Sequence, residues 1–179
     1  VHVAADETER DVVMIPNFQV EKRQGIAYVD TLVGAALSLL APERNVTLLN
    51  HEGPKDLEIC HRVRDRLAAK GHAVEILNPK TGLEAKAVIG AARFVVSSRY
   101  HGLIAALSQG IPCYPLGWSY KYVAAMRLFD IEIEDSIGSP EHVLERVLSS
   151  EYCRLFTGTD FISRRERIRA EVAAMWNSI

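Results

Sequence analysis

Five short runs of β-branched and other apolar residues recur along the chain, at Val12 to Asn17, Val46 to His51, Ala73 to Leu77, Phe94 to Ser98 and Cys113 to Leu116. Their near-continuous apolar character predicts strands covered on both faces, as in a parallel sheet. Segments of helical periodicity lie between them. The clearest runs from Asp56 to Lys70, where Leu57, Cys60, Val63 and Leu67 fall on one stripe, with Asp56 predicted as N-cap and Gly71 as C-cap. Gly25 to Leu40, Leu83 to Ala91 and His101 to Gln109 are the others, the last closed by Gly110 and Pro112. Strand followed by helix, repeated about five times, predicts right-handed crossovers and an α/β fold with a doubly wound, mostly parallel, Rossmann-like sheet.

After the last strand come a segment with Trp118, a helix near Pro140 to Leu148, and a long terminal helix in which Phe161, Ile168, Val172 and Met175 share a face. Arg164, Arg165, Arg167 and Arg169 crowd the start of that helix. They read as a solvated face balanced by Glu166 and Glu171, or as an edge that docks on a missing neighbour.

The 179 residues carry 21 Lys+Arg against 23 Asp+Glu, a formal charge of -2. This near balance gives no global electrostatic reason to bind nucleic acid or an anionic membrane, and leaves open a local basic pocket for a small anion. No apolar stretch approaches the about 20 residues of a spanning helix, so no transmembrane segment is expected. Cys60, Cys113 and Cys153 lie far apart, without metal-ligand spacing, and read as reduced thiols of a cytoplasmic protein. No metal is expected, because His51, Cys60 and His61 do not fall on one face. The chain opens on Val1 and runs almost at once into a strand, which suggests a single α/β domain, 1–179, cut from something longer.

In open α/β sheets ligands bind beyond the carboxyl ends of the strands, where helix N-termini attract anions. The end of the fourth strand stands out. Ser97, Ser98, Arg99, Tyr100 and His101 place two hydroxyls, a guanidinium and an imidazole within one turn of the apolar helix Leu103 to Leu107. A planar, permanently charged Arg99 suits a carboxylate or phosphate through two parallel hydrogen bonds. His101, in the first helical turn, would have its imidazolium disfavoured by the helix dipole, which suits proton exchange near neutrality. The plainer alternative has Arg99 tying down a neighbouring carbonyl and His101 capping the helix.

Ser98-Arg99-Tyr100-His101-Gly102-Leu103-Ile104-Ala105-Ala106-Leu107, followed by Gly110-Ile111-Pro112 and Gly117-Trp118-Ser119-Tyr120-Lys121, resembles the signature of the polysaccharide pyruvyl transferase family. Asn50-His51-Glu52 and Asp56-Leu57 look like further family features, and the resemblance spans roughly Val12 to Ile131. It implies a two-domain architecture like that of B-type glycosyltransferases, with this chain as the C-terminal half and an N-terminal domain as its partner. It also implies transfer of the enolpyruvyl group of phosphoenolpyruvate to two sugar hydroxyls, giving a pyruvate ketal and phosphate. Phosphoenolpyruvate is then a donor substrate and no cofactor is expected; the partners are that small anion and a saccharide acceptor. By similarity Arg99 and His101 would contact the donor, with Lys121 as a second cation.

The donor's chemistry suits these residues, since a carboxylate and a phosphate on adjacent positions need several cations or N–H donors from different segments. His101 is the candidate catalytic acid or base. Ser98, Arg99, Tyr100, Trp118, Lys121 and His51 are the candidate substrate-binding residues. Trp118 would stack on a sugar ring or plug the core, Lys121 would bind the donor or extend along aromatic surface, and His51 would act chemically or end its strand as a hydrogen-bonded histidine. Two rival readings remain: a nucleotide-sugar glycosyltransferase or epimerase half, for which no GxGxxG is present, and a non-catalytic regulatory domain on the same scaffold.

Overall fold

The computed structural model describes residues 10–40, 44–117, 119–133 and 140–177. Five parallel strands, β1 (Arg10–Ile15), β2 (Val46–Leu49), β3 (Glu75–Leu77), β4 (Ala92–Ser97) and β5 (Cys113–Pro115), form one sheet in the order β3-β2-β1-β4-β5. This is the doubly wound arrangement expected from the strand and helix alternation. β1 sits at its centre, paired with β2 through Val12 opposite Val46 and with β4 through Val12 opposite Phe94. Both faces are covered there: Val12, Val13, Met14 and Ile15 are buried, as are Val95 and Val96 of β4.

Right-handed crossovers dictate where the helices go. α1 (Phe18–Gln24) and α2 (Ala27–Leu39) join β1 to β2, and α3 (Pro54–Ala68) joins β2 to β3. α4 (Gly82–Gly90) and α5 (Tyr100–Gln109) follow β3 and β4 on the other face. Then come α6 (Tyr120–Leu128), α7 (Pro140–Leu148), α8 (Ser150–Arg154) and α9 (Thr159–Asn177). The chain direction reverses its lateral progress between β1 and β4, so the crevice at that switch point opens beyond their carboxyl ends.

Several expectations are corrected. The helix expected from Gly25 to Leu40 is preceded by a separate one, α1, capped by the Asn17 side chain accepting from the Gln19 N–H at 2.8 Å. Gly25, at φ 68°, makes the break between them. α3 starts two residues before the expected N-cap: its N-cap is Gly53, Pro54 occupies the first turn, and Asp56 lies inside the helix with another task. In α9 the expected apolar face divides, because Phe161 is buried beside Phe129 and Phe156 whereas Val172 and Met175 are exposed.

Three arginines of α9 dock on this chain itself. Arg164 Nε donates to the Leu128 carbonyl at 2.8 Å, Arg169 Nη2 to the Ser108 carbonyl at 2.7 Å, and the Arg165 guanidinium lies against Gly110. These carbonyls close α6 and α5, where a helix dipole favours cations. Arg164, Arg165 and Arg169 are thus held by this chain, whereas Arg167 is exposed.

Candidate functional site

The polar residues that follow β4 are built outward from two buried serines. Ser97 Oγ donates to the Arg99 carbonyl at 2.8 Å and accepts the Arg99 N–H at 3.1 Å, which sets the turn into α5. The Ser98 carbonyl accepts from Asn17 Nδ2 at 2.7 Å and from the Tyr122 hydroxyl at 2.6 Å. Tyr28, fully buried, accepts the Asn17 N–H through its hydroxyl. Burial pushes the Tyr28 phenol well above its ordinary range, and raises Tyr122 less strongly, so both stay neutral. Ends of β1, β4 and α6 are thereby stitched together beneath the crevice. Gly102 completes the packing, since a Cβ there would stand 2.8 Å from Ser97 Oγ and 2.7 Å from Ile15 Cδ1.

Arg99 projects from this platform. Its Nε and Nη2 donate to the two carboxylate oxygens of Asp56, each at 2.7 Å, and its Nη1 pairs with Glu52. Asp56 is fully buried and also accepts the Phe18 N–H at 2.9 Å. Burial works against the charge of Arg99, but the hydrogen bond and field of Asp56, with Glu52 adding, outweigh it and hold the guanidinium above its ordinary range. A fork-to-fork pair of this kind fixes orientation as well as charge.

A recess of about 360 Å³ opens beside it, walled by Asn17, Gln19, Glu52, Arg99, Tyr100, His101 and the start of α6 from Ser119 to Tyr122. Ser119 caps α6 by accepting the Lys121 N–H. A second recess, about 270 Å³, shares Gln19, Glu52 and Arg99 and adds Phe18, Pro54 and Lys55. His51 lies nearby, half-buried. Burial first, then the charges of His101 and Arg99, hold its imidazole below the ordinary histidine range against the opposing fields of Glu52 and Asp56.

The family model for polysaccharide pyruvyl transferase matches residues 6–120 of the 179. The chain belongs to the polysaccharide pyruvyl transferase family. A comparison with curated proteins gives no match. Among solved structures, the UDP-GlcNAc 2-epimerase from Methanocaldococcus jannaschii is similar at 13% identity and TM-score 0.60, over 96% of this chain and 47% of that one. The enzyme from Neisseria meningitidis, bound to UDP-GlcNAc, matches at 14% identity and TM-score 0.59, over 96% and 46%. Spinosyn rhamnosyltransferase SpnG matches at 17% identity and TM-score 0.54, over 96% and 43%. These likenesses establish a Rossmann-like fold shared with epimerases and glycosyltransferases of the B type. The chain spans about half the length of each.

For this pyruvyl transferase family member, the structure gathers Arg99, Tyr100, His101 and Lys121 around one recess at the carboxyl end of the sheet. Ser98 is buried below it and supports the platform through its carbonyl. Trp118 lies outside the described residues. The plainer alternatives fare differently: α5 has no side-chain cap, so His101 does not cap it, and Arg99 ties down Asp56 rather than a carbonyl. Asp56, expected to cap α3, is instead the counter-ion of Arg99. Glu52, Gln19 and Tyr120 also face the recess; Glu52 and Tyr120 stand in the stretches that carry the family resemblance but were given no role in the site, and Gln19 was not named. Among the described residues no helix is long and apolar enough to cross a membrane.

Proposed function

We propose that this chain is the donor-binding half of a transferase that moves the pyruvyl group of phosphoenolpyruvate onto two hydroxyls of a sugar. The observation that carries the reading is a guanidinium locked in place by buried Asp56, with His101 and Lys121 on the same recess. Arg99 and Lys121 supply cations for the donor's carboxylate and phosphate, and Tyr100 lines the same recess. His101, exposed at the first turn of α5, delivers a proton to the methylene carbon, which makes the adjacent carbon an oxocarbenium-like electrophile. One sugar hydroxyl adds there and returns its proton to the His101 imidazole; the bond to the phosphate oxygen then breaks, and the second hydroxyl closes the ketal as its proton passes to the departing phosphate. The binding site for the sugar is expected to be shared with the N-terminal domain that the family resemblance implies. Phosphoenolpyruvate enters as substrate and no cofactor is invoked. A cytoplasmic setting, inferred from the three unpaired cysteines, belongs to the same reading.

A second reading, a nucleotide-sugar transferase or epimerase half, is favoured by the solved neighbours, one of which is bound to UDP-GlcNAc. Pyruvyl transfer by the full-length enzyme separates the two. His101→Ala should lower transfer at least about a hundredfold, the scale of a lost acid or base. Its stability should stay within about 0.5 kcal/mol of the parent, because no cap is lost. Near-normal transfer by that variant, or turnover of a UDP sugar in place of phosphoenolpyruvate, would overturn the reading.

A further inference from the structure

Arg99 is held by two carboxylates of opposite character. The Asp56 side chain is fully buried, takes the Nε and Nη2 edge, and carries a second bond from the Phe18 N–H; it has nowhere to go. The Glu52 side chain is 57% exposed and takes only Nη1. An ion pair so open to water is weak, because solvent competes for both partners and ordering a long side chain costs entropy. Glu52 is therefore the partner that yields.

Its position gives that weakness a use. Glu52 borders both recesses and stands where a ligand in the larger one would meet the remaining edge of Arg99. Asp56 and Glu52 together already outnumber the single positive charge of Arg99. An anion arriving at Arg99 cannot share Nη1 with Glu52 without like-charge repulsion. The smaller recess offers an exit: it is lined by Lys55, whose ammonium rests 4.5 Å from the centre of the Phe18 ring and can receive the displaced carboxylate.

We propose that Glu52 occupies the place of the ligand's own anionic group on Arg99 and is exchanged for a carboxylate or phosphate when ligand binds. The Glu52 carboxylate keeps Arg99 paired while the site is empty and sets a threshold that neutral saccharides and weak anions do not cross. A ligand with a second anionic group, able to reach Lys121 as well, crosses it. Glu52 is thus a specificity-determining residue, and the inference rests on the reading of Arg99 as an anion site.

Inorganic phosphate, titrated by calorimetry into this chain at low ionic strength, tests it. Glu52→Gln keeps the shape and removes the competing charge, so it should bind phosphate at least about threefold more tightly than the parent. Its melting temperature should stay within about 2 °C, as befits an exposed pair. Adding Arg99→Lys, which loses the fork, should abolish the gain. Equal, weaker or undetectable phosphate binding by Glu52→Gln overturns the role of Glu52, as does a large fall in its melting temperature. A gain that survives Arg99→Lys overturns the placement of the anion on Arg99. Failure of the pyruvyl transfer reading shows separately, in the transfer assay with His101→Ala, and leaves the phosphate comparison standing.

Discussion

Asp56 and Arg99, 43 positions apart, meet through two parallel hydrogen bonds of 2.7 Å. The strands that lead into them, β2 before Asp56 in α3 and β4 before Arg99 at the start of α5, flank β1 on either side, so the pair bridges the end of the central strand. Removing one member of such a pair strands the other, and Arg99 has only 14% of its side chain exposed. Asp56→Ala should cost about 3 kcal/mol in urea unfolding. A loss below about 1 kcal/mol would show that Arg99 simply turns out to solvent.

Gly117 and Tyr122 should be energetically coupled. A Cβ on Gly117 would come within 2.6 Å of Tyr122 Cε2 and push away a ring whose hydroxyl supports the Ser98 carbonyl. Tyr122→Phe should cost about 1 kcal/mol and Gly117→Ala about 1–3 kcal/mol. In the double variant the costs should fall short of their sum by at least about 0.5 kcal/mol, measured as a double-mutant cycle.

His51 should make the protein acid-sensitive. Its imidazole is held below the free value of 6.5 in the folded state, so the unfolded chain takes up a proton first as pH falls through that value. Stability is unaffected well above pH 6.5 and declines below it, until the folded imidazole also titrates. His51→Gln should flatten that part of the melting-temperature profile. Proton NMR of His51 should show a midpoint under 6.5 that moves upward in His101→Ala, since the field of His101 contributes to the depression; an unmoved midpoint would count against their proximity.

Arg164→Ala and Arg169→Ala should each lower stability by about 0.5–1.5 kcal/mol, the value of a bond to a helix-closing carbonyl. A change below about 0.2 kcal/mol in chemical denaturation would return these arginines to the solvated-face reading.

The doubly wound sheet and the polar turn at the end of β4 were legible because both are local. Apolar runs mark strands buried on two faces, and polar residues from Ser97 to His101 interrupt an otherwise apolar stretch. α1 escaped notice because seven residues with only Val20 buried carry almost no periodicity. The tie between Arg99 and Asp56 could not be read from spacing, since a parallel sheet joins residues whose separation depends on crossover lengths. Asp56 at the start of a helical stripe looked like a cap for the same reason: capping is a local rule, and a tertiary partner overrode it.

α9 begins well past residue 120, where the family pattern ends, yet its arginines clasp the far ends of α5 and α6. The opposite ends of those two helices carry His101 and Lys121. Each helix is a rigid rod about 14–15 Å long at 1.5 Å per residue. A tilt imposed at the clasp would therefore swing the imidazole and the ammonium together, like two spokes moved from one hub. The placing of His101 and Lys121 on their recess is thus tied to a segment that touches neither, and sequence drift in that remote segment would shift the recess without altering a single residue that lines it.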